Sequence, residues 1–144
     1  MTNFHFRLER VLRWRRLELI AEEARLKRLI AEEAQIRAHI EALRTEKLTL
    51  SNEVAQLEGA SGADFNCAAA YALRLARDQD KALRAQREKQ RETAAQMQAH
   101  QTARLRERLL EELRTRQFHE WRQAASRELD TLAGESYLSR WPPL

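Results

Sequence analysis

The stretch Leu26–Leu50, "LKRLIAEEAQIRAHIEALRTEKLTL", decides the fold. Leu29, Ile36, Leu43 and Leu50 recur every seven residues through it, and Leu26, Glu33, Ile40 and Lys47 form a second ladder offset by four. Extended both ways, the first ladder reads Leu8, Arg15, Glu22, Leu29, Ile36, Leu43, Leu50, Leu57. The second reads Leu12, Leu19, Leu26, Glu33, Ile40, Lys47, Val54. Eleven of these fifteen positions are apolar over seven heptads, more than the three or four that specify a coiled coil. The exceptions, Arg15, Glu22, Glu33 and Lys47, are seam polar residues of the kind that fix register at some loss of stability.

The rest of the chain supports a long-helix reading. Of 144 residues, 33% are charged, 6% aromatic, and only 3 are Gly and 2 Pro. Tight turns draw on Gly, Pro, Asn and Asp for their backbone geometry, so the chain has material for about one reversal. That reversal falls in "EGASGADFN", Glu58–Asn66. A net charge of +4 and 43% hydrophobic residues argue against disorder. Favourable i,i+4 pairs, acid first, are present at Glu9–Arg13, Glu23–Lys27, Glu33–Arg37, Asp80–Arg84 and Glu112–Arg116.

The pattern predicts an all-α, antiparallel two-helix coiled-coil hairpin forming one domain over 1–144. Helix 1 is expected over about 4–58, the turn over 59–63, helix 2 over 64–133 and a tail over 134–144. Asp64 is the expected N-cap of the second helix and Gly134 its stop. The second seam begins with Phe65, Ala68, Ala72, Leu75 and Leu83, weakens through an Ala/Gln/Thr stretch from Ala85 to Ala103, and resumes with Leu105, Leu109, Leu110, Leu113, Phe118 and Trp121. At 1.5 Å per residue the arms measure about 80 and about 100 Å, so the second overshoots. Phe118, Trp121, Leu129 and Leu132 are then expected to lack a partner on the first helix.

Few sites for chemistry emerge. The four His (5, 39, 100, 119) include no i,i+4 pair, and no phosphate-cradling Gly-rich loop is present. Cys67 is the only cysteine, which excludes an internal disulfide and points to a reducing compartment. No apolar run approaches the ~20 residues of a membrane-spanning helix, and Glu9, Glu18, Glu22 and Glu23 spoil a transit-peptide reading of the Arg-rich start. The expectation is a cytoplasmic protein without enzymatic activity, cofactor or metal. Two binding readings stand beside it. "RLERVLRWRR", Arg7–Arg16, could hold nucleic acid through Arg and Trp, or lie on a membrane surface. Near charge balance elsewhere opposes the first, and engagement of the apolar face in the coiled coil opposes the second.

Phe4-x-Phe6-Arg7-Leu8-x-x-Val11-Leu12, opening an uninterrupted charged helix, resembles the N-terminus of the flagellar export protein FliJ family. Tyr71-Ala-Leu-Arg-Leu75 after the breakers, and Arg127-Glu-Leu-Asp-x-Leu-Ala133, also look like that family. The resemblance implies a stalk-like coiled coil of the bacterial flagellar type III protein export apparatus, cytoplasmic and peripherally associated with the inner membrane at the flagellar base. It implies three partners: the hexameric export ATPase, the export-gate membrane protein and export chaperones. The ATPase-docking set would be Phe4, Phe6, Arg7, Arg10, Arg13, Phe118 and Trp121, with Leu8, Val11 and Leu12 completing the motif. Gate contact would involve Tyr71, Leu75, Asp78 and Ala82, with Ile36, Ile40, Leu43 and Lys47 matching on the first arm. Stalk proteins of injectisome-type secretion systems share this architecture. Tyr71 and Leu75, four apart, could equally form a seam contact. Read as helical, Phe4 and Phe6 cannot both face one seam, so at least one should be exposed.

Overall fold

In the computed structural model, which describes residues 2–143, the chain is all-α. Two helices, α1 (Glu9–Ala55) and α2 (Gly62–Ser139), pack against each other as a two-helix hairpin. Met1 and Leu144, the ends of the expected domain, lie outside the described residues.

All four helix boundaries differ from expectation: α1 ends at Ala55 rather than 58, and the other three shift for local reasons. Asn3–Phe6 are not helical, and α1 starts at Glu9, whose N–H donates to the Phe6 carbonyl at 3.1 Å. α2 is capped by Ser61 rather than Asp64. The Ser61 hydroxyl accepts from the Asp64 N–H at 3.3 Å, while the Asp64 carboxylate accepts from the Ser61 N–H at 3.0 Å. This is a reciprocal capping box with Asp64 as its third helical residue. These bonds, the backbone one first, hold the Asp64 carboxyl below its ordinary value. α2 then runs straight through Gly134 and ends at Ser139, two residues short of Trp141, where Pro142 disfavours helical backbone. Gly59 sits at φ +71°, the left-handed geometry that lets the chain leave α1.

The chain divides into two compact units, one made of Glu22–His100 and the other of the segment ending at Ala21 with the segment from Gln101 onward. In the Glu22–His100 unit the core is Ile40, Leu43, Leu75 and Ala82, flanked by Ile36, Leu50 and Leu83. Here the seven-residue ladder is what packs: Leu26, Leu29, Ile36, Ile40, Leu43, Leu50 and Val54 are all at least partly buried, whereas Lys47 is exposed. The facing stretch of α2 presents Gln86, Lys89, Thr93, Gln96 and His100 inward, not its alanines. Polar bonds accordingly replace apolar burial there. Lys89 Nζ donates to Glu32 at 2.8 Å, and Gln96 Nε2 donates to the Glu22 carbonyl oxygen at 3.1 Å and to its carboxylate. The Lys89 bond lowers the Glu32 carboxyl and raises the Lys89 ammonium from their ordinary values.

In the other unit Leu12 is fully buried, with Phe6 and Ala103 also in the core. Ion pairs join its two segments: Glu9 to Arg114 at 3.1 Å, Glu18 to Arg106 at 3.8 Å, and Arg16 to both Glu107 and Glu111. Of the i,i+4 pairs expected from sequence, Glu23–Lys27 and Glu33–Arg37 form, at 3.5 and 3.4 Å. Glu9 instead reaches across to Arg114, and Glu112 turns back to Arg108 at 3.1 Å. Asp80–Arg84 is not among the ion pairs of the described residues.

Candidate functional site

Phe4 and Phe6 are both turned inward. In an extended segment, residues two apart point to the same face, whereas in a helix they diverge. Phe6 is 4% exposed and Phe4 half-buried, which corrects the expectation that one of them faces outward. Phe4 meets Phe118 edge-on, with ring centroids at 5.3 Å and planes at 78°, and lies 5.9 Å from Trp121. Phe118 stacks in turn on Trp121 at 5.9 Å. The aromatics expected to be unpartnered therefore do have a partner, supplied by the non-helical segment ahead of α1. Leu129 and Leu132, expected to share that fate, remain exposed.

Beside this cluster, Phe4, His5, Phe6, Glu9, Arg10, Arg13 and Arg114 line a groove of about 320 Å³. Arg7, Arg10 and Arg13 are exposed and in no ion pair among the described residues. Glu9, the one carboxylate in the groove, is occupied by Arg114. Of the docking residues expected from sequence, Phe4, Phe118 and Trp121 are thus brought into one aromatic cluster and Arg10 and Arg13 into the groove beside it, while Arg7 is exposed outside the groove lining.

Sequence reasoning missed a second feature of this unit. Trp14, Leu17 and Ile20 are all exposed, Leu17 at 65%. Arg15 lies over the Trp14 ring at 4.8 Å and pairs with Glu18 at 2.9 Å. The signal was available: these are large apolar residues at helical spacing that fall outside both heptad ladders.

The expected gate-contacting residues are not brought to one surface. Leu75 and Ala82 are core residues, which takes them out of any exposed contact, while Tyr71 is 40% exposed and Asp78 half-buried. Ile40 and Leu43 are buried against Leu75 and Ala82. Nearer the turn, the small Ala68, Ala69 and Ala72 leave a groove of about 380 Å³ against Lys47, Leu50, Ser51 and Val54. Cys67 is exposed near the turn.

No family model, curated protein or solved structure matches this chain. No group of three or more His, Cys, Asp or Glu among the described residues could hold a metal ion, and no helix among them is long and apolar enough to cross a membrane.

Proposed function

We propose that this chain is a non-enzymatic docking protein of the bacterial flagellar type III protein export apparatus, binding the hexameric export ATPase as its stalk. Support comes from the residue resemblance to the FliJ family and from one structural observation. The resembling motif is folded onto Phe118 and Trp121, so that Arg7, Arg10 and Arg13 are held out around an aromatic base. Aromatic and Arg side chains dominate interface energetics, and a preordered set loses little entropy on docking. Tyr71, with Asp78 two turns further along α2, is the remaining candidate for contact with the export-gate membrane protein. Export chaperones would use other exposed helix faces.

The test is direct binding and ATPase stimulation with the purified cognate export ATPase. Full-length chain should bind and stimulate, and Arg10→Glu with Arg13→Glu should weaken binding about tenfold or more. Absence of both binding and stimulation, with normal motility after deletion of the chain, would refute the proposal. Binding only to an injectisome ATPase would reassign the system.

A further inference from the structure

Where the two segments of the unit that carries Phe4 lie side by side, charge is uneven in a way the composition hides. Residues 2–21 and 101–118 contain five carboxylates, and every one is in an ion pair: Glu9, Glu18, Glu107, Glu111 and Glu112. The same residues contain ten arginines, of which Arg7, Arg10, Arg13, Arg104 and Arg116 are in no ion pair among the described residues. All five are exposed. Over these residues the surface presents unneutralised guanidinium groups, while the carboxylates of the unit that are in no ion pair among the described residues, Glu120, Glu128, Asp130 and Glu135, lie further along α2.

Apolar side chains stand among these cations on two different faces. On α1, Leu17 lies about half a turn round from the inward residues Leu12 and Leu19, so it points away from α2. Trp14 and Ile20 flank it. On α2, Leu105 lies half a turn round from the inward residues Ala103 and Leu110, so it points away from α1. Leu109, one turn on, is equally exposed. The cross-pairing of Glu18 with Arg106 brings Leu17 and Leu105 to the same level of the unit. Outward-facing leucines thus occupy opposite sides of one cross-section, with the free Arg13 one turn from Leu17 and the free Arg104 next to Leu105.

We infer that this unit is clasped from both faces by a protein partner whose contacting surface is rich in carboxylates interleaved with apolar side chains. A lipid surface is a plane and can meet Leu17 or Leu105 but not both. Nucleic acid would satisfy the arginines but leave four exposed aliphatic side chains without purpose. A protein that contacts two sides satisfies both sets at once: carboxylates pair bidentately with arginine forks, and apolar side chains bury the leucines. This fixes the chemistry of the partner in the docking reading above, and rests on that reading only in taking this unit as the docked one.

The experiment is photocrosslinking in the host cell with the full chain, placing a photoreactive phenylalanine analogue singly at Leu17, at Leu105 and, as a control, at Thr49, followed by mass-spectrometric identification. The expected result is that positions 17 and 105 label the same protein, on peptides rich in Asp and Glu, and that position 49 does not. Arg10→Glu with Arg13→Glu should cut the yield at 17 at least fivefold while circular dichroism remains unchanged. Purified chain is also titrated with vesicles of phosphatidylglycerol and phosphatidylcholine and with a duplex DNA, with and without the same substitutions. Labelling at only one position, labelling of different proteins, or no protein labelling would overturn the inference, as would stronger arginine-dependent binding to vesicles or DNA. If both positions label one acidic protein other than the export ATPase, the clasp stands and the export reading fails.

Discussion

Removing the Phe4 ring tests whether the residues ahead of α1 are an extended strap or a helical turn. A helix starting at residue 4 would turn either Phe4 or Phe6 to solvent, and truncating that one would be silent. In the extended arrangement both contribute. Burial of about half a Phe side chain is worth about 1 kcal/mol, and its edge-on contact with Phe118 adds about 0.5–1.5 kcal/mol, so Phe4→Ala should cost roughly 1.5–2 kcal/mol. Phe6 is almost fully buried but has only two helices around it to relax, so Phe6→Ala should cost about 2–3 kcal/mol, below the range for enclosed cores. The assay is urea unfolding with hydrogen exchange of the amides from Leu12 to Leu19, where each 1.4 kcal/mol of lost local stability accelerates exchange roughly tenfold. A double-mutant cycle of Phe4→Ala with Trp121→Ala should give a coupling of about 0.5–1.5 kcal/mol, since the two rings are in contact. If Phe4→Ala leaves stability and exchange within about 0.3 kcal/mol of the parent and the cycle shows no coupling, the strap geometry is wrong.

Three further outcomes follow from the fold. Leu12→Ala should destabilise by about 2–4 kcal/mol, read as a lower urea midpoint at unchanged slope, because Leu12 is the one large side chain with no exposure among the described residues. The two glycines should respond oppositely: Gly134→Ala, in mid-helix with open space round its new Cβ, should stabilise by about 0.5–1 kcal/mol, whereas Gly59→Ala, at φ +71°, should destabilise by about 1 kcal/mol. Ser61→Ala should cost about 1 kcal/mol of cap, measured by urea unfolding at neutral pH. The pH dependence gives a second readout. Asp64 has its carboxyl held below the ordinary 3.8 in the folded chain, so its stabilisation is complete above that value and is lost as pH falls through the lower, folded one. Unfolding between about pH 5 and pH 2.5 should therefore show an acid-side loss that is smaller in Ser61→Ala.

The seam of α1 was legible because a seven-residue repeat has few rival explanations, and nearly every ladder position from Leu8 to Val54 is inward. Lys47 is the exception, pointing out beside the groove that the small alanines of α2 leave open. The partner seam was less legible. From Ala85 to Ala103 the sequence predicted only a weakened seam, and there Lys89 and Gln96 take inward positions, bonded to Glu32 and Glu22 on α1. Helix ends were misplaced wherever one residue had two possible roles. Asp64 reads as a cap until Ser61 is seen three residues earlier, and Gly134 reads as a stop unless the chain continues helical through it. The Phe4 and Phe6 placement failed for a different reason: spacing reveals which residues share a face only once the local conformation is known. Tyr71 and Leu75 show the same dependence, since which of them is buried follows from Ile40 and Leu43 on the other helix.

The contact of Phe4 with Phe118 and Trp121 also sets an order of events during synthesis. Phe4 leaves the ribosome ahead of α1, and its two ring partners leave only after most of α2 has been made. Local helix forms within microseconds, while translation adds only about 5–20 residues each second. For seconds, then, the nascent chain carries α1 with Leu12 bare, Phe6 uncovered ahead of it, and Arg16 not yet matched to Glu107 and Glu111. The protein is born with its strap unfastened, and the strap closes only once the turn of α2 that carries Phe118 and Trp121 has formed.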